Sequence, residues 1–204
     1  LPPTPDEVDA FVESSSPTAY EDLVDSLLDH PGYGQRWGRY WLDLARYSDS
    51  LGFEGDPEIY HTWRYRDYVI DAFNGDTPYD QFVKEQLAGD GSGADVATGF
   101  LVAGPYDAVK GQDINLALTQ RQDELADMIN ATGTTFLGLT LGCARCHNHK
   151  FDAISQADYY ALFGILGSCR PAMLDVNTAE VQQRHKGEVV GIKAAIGWST
   201  TCEL

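Results

Sequence analysis

Cys143-Ala144-Arg145-Cys146-His147 constrains this chain more than any other stretch of it. Two thiols three residues apart, with an imidazole directly after the second, have the C-x-x-C-H spacing of covalent haem attachment. Each thiol can add to one of the two vinyl groups of a porphyrin, and the imidazole is then held beneath the iron as an axial ligand. With 4 cysteines and 5 histidines in 204 residues, chance produces this pentapeptide in only about two such chains in a thousand. A porphyrin also needs an apolar pocket, and the rest of the chain has to supply it.

Rival chemistries fit the residues less well. A zinc site could draw on Cys143, Cys146, His147 or His149, and Cys169, but structural zinc usually takes two separated ligand pairs, and the sequence has no second C-x-x-C and no H-x-x-x-H. A thioredoxin-like redox pair wants a strand before it, whereas the segment before Cys143 reads as helix. A disulfide between Cys143 and Cys146 would be strained in a helical turn.

His149 stands two residues beyond His147, too close to pass round the porphyrin edge. Its expected role is a hydrogen bond to a propionate or a neighbouring carboxylate, with Asp152 as partner. Arg145 and Lys150 are candidates for pairing with propionates, against the commoner fate of solvated surface charge. For the sixth iron position His61, heading an aromatic helix, is the first candidate. Met128, Met173, His185 and His30 are alternatives, as is an empty position, and the apolar stripe that carries Met128 makes core packing its competing role.

Local signals are mostly helical. Thr4-Pro5-Asp6-Glu7 has the pattern of a capping box with proline at the first helical position. Ser16-Pro17 opens a segment whose Leu23, Val24, Leu27 and Leu28 share a face, and His30-Pro31-Gly32 closes it. From Trp37 to Leu51, Trp37, Tyr40, Trp41, Leu44 and Tyr47 follow helical spacing and predict a buried aromatic stripe. Further helices are expected from Thr62 to Phe73, from Thr77-Pro78 onward, from Gln112 to Gly142 with Gly133 and Gly138 thinning or bending it, and from Ser155 to Leu166. Residues 89–99 read as a loop, and Gly99 to Ala103 is ambiguous between strand and helix. The aromatic residues from Trp37 to Phe73 are expected to be core first and haem wall second.

Composition excludes several classes. Lys and Arg number 14 against 31 Asp and Glu, a net charge of -17, and the arginines between Arg36 and Arg66 are interleaved with acids, so neither nucleic acid nor an anionic membrane is an expected partner. No run approaches the roughly 18 apolar residues of a membrane span. No Ser-His-Asp order, Walker pattern or phosphate-binding glycine loop is present.

Several runs resemble the planctomycete-type family known as domain of unknown function 1549. They are Leu1 to Val8, Arg36-Trp37-Gly38-Arg39-Tyr40-Trp41-Leu42-Asp43-Leu44-Ala45-Arg46-Tyr47, Trp63 to Ile70, Gln86 to Asp90, Asp123-Glu124-Leu125, and Gly142 to Asp152. The resemblance spans about residues 1–168. It departs from the family at Ala153, where a proline usually follows the Phe-Asp pair, and in the tail after about residue 169. In that family the domain commonly follows a cytochrome c module in large exported proteins, so the resemblance implies a haem-linked role outside the cytoplasm and supplies no reaction.

Together these readings predict a mainly α-helical, irregular multi-helix domain over residues 1–168 with one covalent haem c, followed by an extension over 169–204. The expected function is periplasmic or extracellular electron transfer with a redox partner protein or other cytochrome subunits. A haem-dependent oxidoreductase, peroxidase-like or carbohydrate-oxidising, and a zinc-stabilised interaction module are the alternatives. In an oxidising compartment Cys169 and Cys202 could pair.

Overall fold

Hydroxyl and proline residues begin the helices much where the sequence places them. In the computed structural model, which describes residues 2–51, 55–105, 112–170, 173–175, 191–193 and 197–198, α1 (Pro5–Glu13) starts with the full capping box. The Thr4 hydroxyl accepts from the Glu7 amide at 3.3 Å, and the Glu7 carboxylate accepts from the Thr4 amide at 2.6 Å. α2 spans Ala19–Leu28. Neither helix carries a buried residue, and the face of Leu23, Val24, Leu27 and Leu28 is exposed.

α3 (Gly32–Leu44) differs from its sequence expectation at both ends and in its inward face. Trp37, Tyr40 and Leu44 are exposed, whereas Gly34, Gly38, Trp41 and Ala45 point inward. Missing side chains decide this face. A Cβ at Gly34 would run into the carbonyl of Ile70, and one at Gly38 would already touch Val69 and Ile70 at 3.4–3.5 Å. The two glycines therefore let α3 lie almost backbone-to-backbone on α4 (Trp63–Asn74). Asn74 fastens the pair, accepting from the Gly34 amide at 2.7 Å and donating to the Pro31 carbonyl at 3.1 Å. α3 stops before Tyr47 and Leu51 because Arg46 takes a left-handed conformation, φ 58°.

α5 (Tyr79–Ala88) follows a short turn, and residues 89–99 hold two 3₁₀ turns, Gly89–Gly91 and Asp95–Thr98. The ambiguous run from Gly99 is a single helical turn, α6 (Gly99–Val102), with Phe100 and Leu101 buried. α7 (Ile114–Thr132) and α8 (Gln156–Gly167) complete the helices. Beyond them, Cys169–Arg170 pairs with Gly197–Trp198 and Met173–Asp175 with Gly191–Lys193, both antiparallel. The protein is mainly α-helical. Among the described residues no helix is long and apolar enough to cross a membrane.

Trp41 centres the core. Its ring lies 4.7 Å from Phe82, 5.9 Å from Phe100 and 5.8 Å from Phe136, so α3, α5, α6 and the chain after α7 meet on one side chain. Its indole N–H donates to the Tyr65 hydroxyl at 3.0 Å, which donates to Gln86 Oε1 at 2.7 Å. Burial pushes the Tyr65 phenol up, so it stays a neutral donor.

Gly34→Ala is expected to destabilise the protein by about 1–3 kcal/mol, because the new methyl meets backbone rather than a movable side chain. Urea unfolding measures it, and an unchanged midpoint would contradict the close α3–α4 packing.

Candidate functional site

The segment before the cysteines is not the continuous helix that its apolar spacing predicts. α7 ends at Thr132, one π-turn covers Gly133–Leu137, Gly138 adopts φ 66°, and a separate 3₁₀ turn runs from Leu141 to Arg145. In a 3₁₀ turn residues three apart eclipse one another. Leu141 and Ala144 accordingly share the buried side, while Cys143 and Cys146 share the exposed one. Gly142 makes the seat close, since a Cβ there would collide with the Asn130 side chain on α7.

Polar contacts fix the turn from both flanks. Both terminal nitrogens of Arg145 donate to Asp123 of α7 at 3.2 Å. Its main-chain carbonyl accepts from Gln156 Nε2 and from the Tyr160 hydroxyl of α8, each at 3.1 Å. Asn148 Oδ1 takes the Gln156 amide at 2.9 Å. The Arg145–Asp123 pair is largely solvated and adds little stability, so its main effect is orientation.

The two histidines have opposite proton arrangements. His147 is exposed, and its Nδ1 lies 2.7 Å from the Asn148 carbonyl, which can only accept. Nδ1 therefore carries a proton, and in the neutral ring Nε2 keeps the lone pair. His149 has a side chain only 5% exposed, and its Nδ1 accepts from the Asp152 amide at 2.9 Å and the Phe151 amide at 3.3 Å. Its proton sits on Nε2, 3.1 Å from the Thr140 hydroxyl. Asp152 does lie beside it, Oδ2 3.1 Å from Nδ1, but the lone pair of that nitrogen is already taken by two amides, so the carboxylate is a neighbour and not its hydrogen-bond partner. His149 thus folds the Lys150–Asp152 loop back beneath Thr140, and the Cys143 thiol reaches the same hydroxyl at 3.9 Å.

The remaining candidates are scattered. His61 is half-buried in the turn before α4, and its ring has no hydrogen-bond partner among the described residues. His30 is exposed and accepts from the Gly32 amide at 2.9 Å. Met128 is buried in the core beside Leu125 and Ile129. His185, Cys202 and the side chains of Cys169 and Met173 lie outside what the structure describes. Sequence reasoning missed Thr140 as the anchor of His149 and Asn148 as the partner of His147. Both are small polar residues that sequence cannot separate from ordinary surface positions.

The arrangement suits thioether attachment of a porphyrin. Both thiols are free, exposed and on one eclipsed face, and the adjoining imidazole has its outer nitrogen available. Among the described residues no three His, Cys, Asp or Glu side chains converge as a metal-binding group, and the side chain of Cys169, the fourth zinc candidate, lies outside them.

These features define a helical domain with an outward C-x-x-C-H turn. Residues 1–170 match the family described as PSCyt2, protein of unknown function (DUF1549), and the chain belongs to that family. No curated protein and no solved structure matches the chain.

α8 anchors the turn, so its cap matters. Ser155 bonds hold the Asp158 carboxyl below its ordinary value of 3.8. This contribution is therefore complete above that value and is lost as pH falls through the still lower value of the folded protein. Ser155→Ala should cost about 1 kcal/mol at neutral pH, and the difference from the parent protein should shrink in acid. Urea unfolding at pH 7 and pH 3 tests both statements, and a pH-independent difference would contradict the assignment to Asp158.

Proposed function

We propose that the protein is a c-type cytochrome domain that transfers electrons outside the cytoplasm through one covalently attached haem. Cys143 and Cys146 would hold the porphyrin as thioethers, and His147 would bind the iron through Nε2. The observation that carries this reading is the joint exposure of both thiols on one eclipsed turn, beside an imidazole whose Nδ1 is committed to the Asn148 carbonyl. When bound, haem iron supplies one-electron exchange between its ferrous and ferric states.

The chain's own residues do the rest. The Asn148 carbonyl fixes the ring's tautomer and orientation. Leu141, Ala144, Arg145 and Gln156 hold the turn against α7 and α8, which limits movement of the imidazole. His61, the first candidate by sequence, would supply the iron's second protein ligand, and paired imidazoles would set a lower potential than a methionine. Thioether maturation outside the cytoplasm makes the protein an exported one. Its net charge of -17 favours a cationic redox partner.

The openness of the face around Cys143, Cys146 and His147 favours one other reading, a haem oxidoreductase with an open distal position. Two measurements separate the readings. Protein matured with c-type haem should keep one haem per chain through acid extraction and give a c-type pyridine spectrum, while Cys143→Ser with Cys146→Ser should lose the pigment. Correctly folded parent protein containing zinc and no iron would eliminate both haem readings. Reduced parent protein should bind carbon monoxide poorly and His61→Ala readily. Ready binding by the parent would favour the oxidoreductase, and an unchanged spectrum in the variant would remove His61 as ligand.

A further inference from the structure

A cavity of about 370 Å³ opens where α3, α4 and α5 meet, built from a different part of the chain than the cysteine turn. Trp41 and Phe82, both buried, form its floor, their ring centres 4.7 Å apart and their planes steeply inclined at 68°. Tyr33 and Phe73 add the walls, with Phe73 edge-on to Phe82 at 6.1 Å. Tyr79 and Asp76 stand at the exposed rim.

The composition of this lining is selective. Five of its side chains are aromatic, and Asp76 is its single ionisable acid. No Lys or Arg belongs to it. Lys84, on the same helix as Tyr79, is paired with Asp80 at 2.7 Å, and Arg36, on the same helix as Tyr33, lies over Tyr40 at 5.1 Å. Asp76 is held in the left-handed region, φ 48°, by the tight turn that ends α4, where the Thr77 amide reaches the Ala72 carbonyl at 3.0 Å. Its carboxylate has no hydrogen-bond or ion-pair partner among the described residues.

Aromatic rings attract cations through their electron-rich faces, most strongly when the cation is poorly hydrated. A primary ammonium is strongly hydrated and would sacrifice that water against a floor of Trp and Phe. A quaternary ammonium presents a shell of methyl groups that suits the apolar floor, and its charge suits both the rings and Asp76. The cavity volume lies toward the small end of ligand pockets, roughly 300–1,000 Å³, which suits a single trimethylammonium group on a short tail rather than a larger cofactor.

We propose that this cavity is a binding site for a small, free quaternary ammonium compound, with Tyr33, Phe73 and Tyr79 as its aromatic wall over the floor of Trp41 and Phe82 and Asp76 supplying the counter-charge. The proposal is independent of the haem reading.

Calorimetric titration with choline, set against its neutral isostere 3,3-dimethylbutan-1-ol, tests it on the intact chain. Choline should bind at least about tenfold more tightly than the isostere, the margin expected of a cation–π site with a carboxylate. Tyr79→Leu and Asp76→Asn should each weaken choline several-fold, whereas Tyr79→Phe should retain it. Both positions are exposed, and circular dichroism checks that each variant folds. Equal affinity for the isostere would reduce the cavity to an apolar hole and overturn the proposal. So would the absence of heat with either compound at tens of millimolar, or binding to phosphatidylcholine vesicles without binding to free choline.

Discussion

The outward presentation of Cys143 and Cys146 depends on the burial of Leu141 and Ala144. A turn with three residues per repeat has two usable sides, and apolar contact with α7 selects which one faces the protein. Slipping the register by one residue would bury Gly142 and Arg145 in place of Leu141 and Ala144. The charged Arg145 has no buried counter-ion there, since its partner Asp123 is exposed. The seat therefore holds one register, and the close approach that Gly142 permits makes it tight. Whatever chemistry the thiols perform is decided by packing on the opposite side of the same turn.

α7 carries this seat, and the core in turn holds α7. Asp123 and Asp127 are one helical turn apart on it. The first pairs with Arg145 of the cysteine turn, the second with Arg46 at the end of α3 at 3.0 Å. Arg46 sits in a strained left-handed conformation over the Phe100 ring. Loss of solvent raises the Asp127 carboxyl above its ordinary value and lowers Arg46, with their mutual attraction opposing both shifts. Desolvation leads in both cases, so the pair is better understood as a positional link between α3 and α7 than as a large source of stability. Through it the glycine-packed α3–α4 unit and the cysteine turn share one frame.

Much of this was legible in the sequence because it is local. The capping boxes at Thr4 and Ser155 and the end of α4 at Asn74-Gly75 act over a few residues, whereas the helix expected through to Gly142 ends at Thr132, a sharper break than the thinning or bending expected of Gly133 and Gly138. The inward face of α3 was not legible. Spacing alone favoured Trp37, Tyr40 and Leu44, yet the absence of side chains at Gly34 and Gly38 governs how near α4 can come, and that depends on a partner some forty residues away. The C-x-x-C-H spacing was plain, but the orientation of that turn was not. Which side of the turn faces solvent, and that His147 leans on Asn148 while His149 leans on Thr140, follow only once α7 and α8 are in place.

Charge adds a last step on the electron-transfer reading. No lysine or arginine precedes Arg36, so the N-terminal helices account for much of the negative field that would draw a cationic partner from a distance. That field is screened beyond about 10 Å at ordinary salt and does not by itself select the cysteine turn. Near the turn the charges are mixed in sign: Asp123 is matched by Arg145, and Lys150 lies over the Phe151 ring at 5.2 Å with Asp152 next in sequence. What distinguishes the surface there is apolar, with Phe151 83% and Leu137 60% exposed. A partner steered in by the acidic helices would need short-range apolar contact to settle over the turn, so salt should act on how often the two molecules meet more than on how long they stay together.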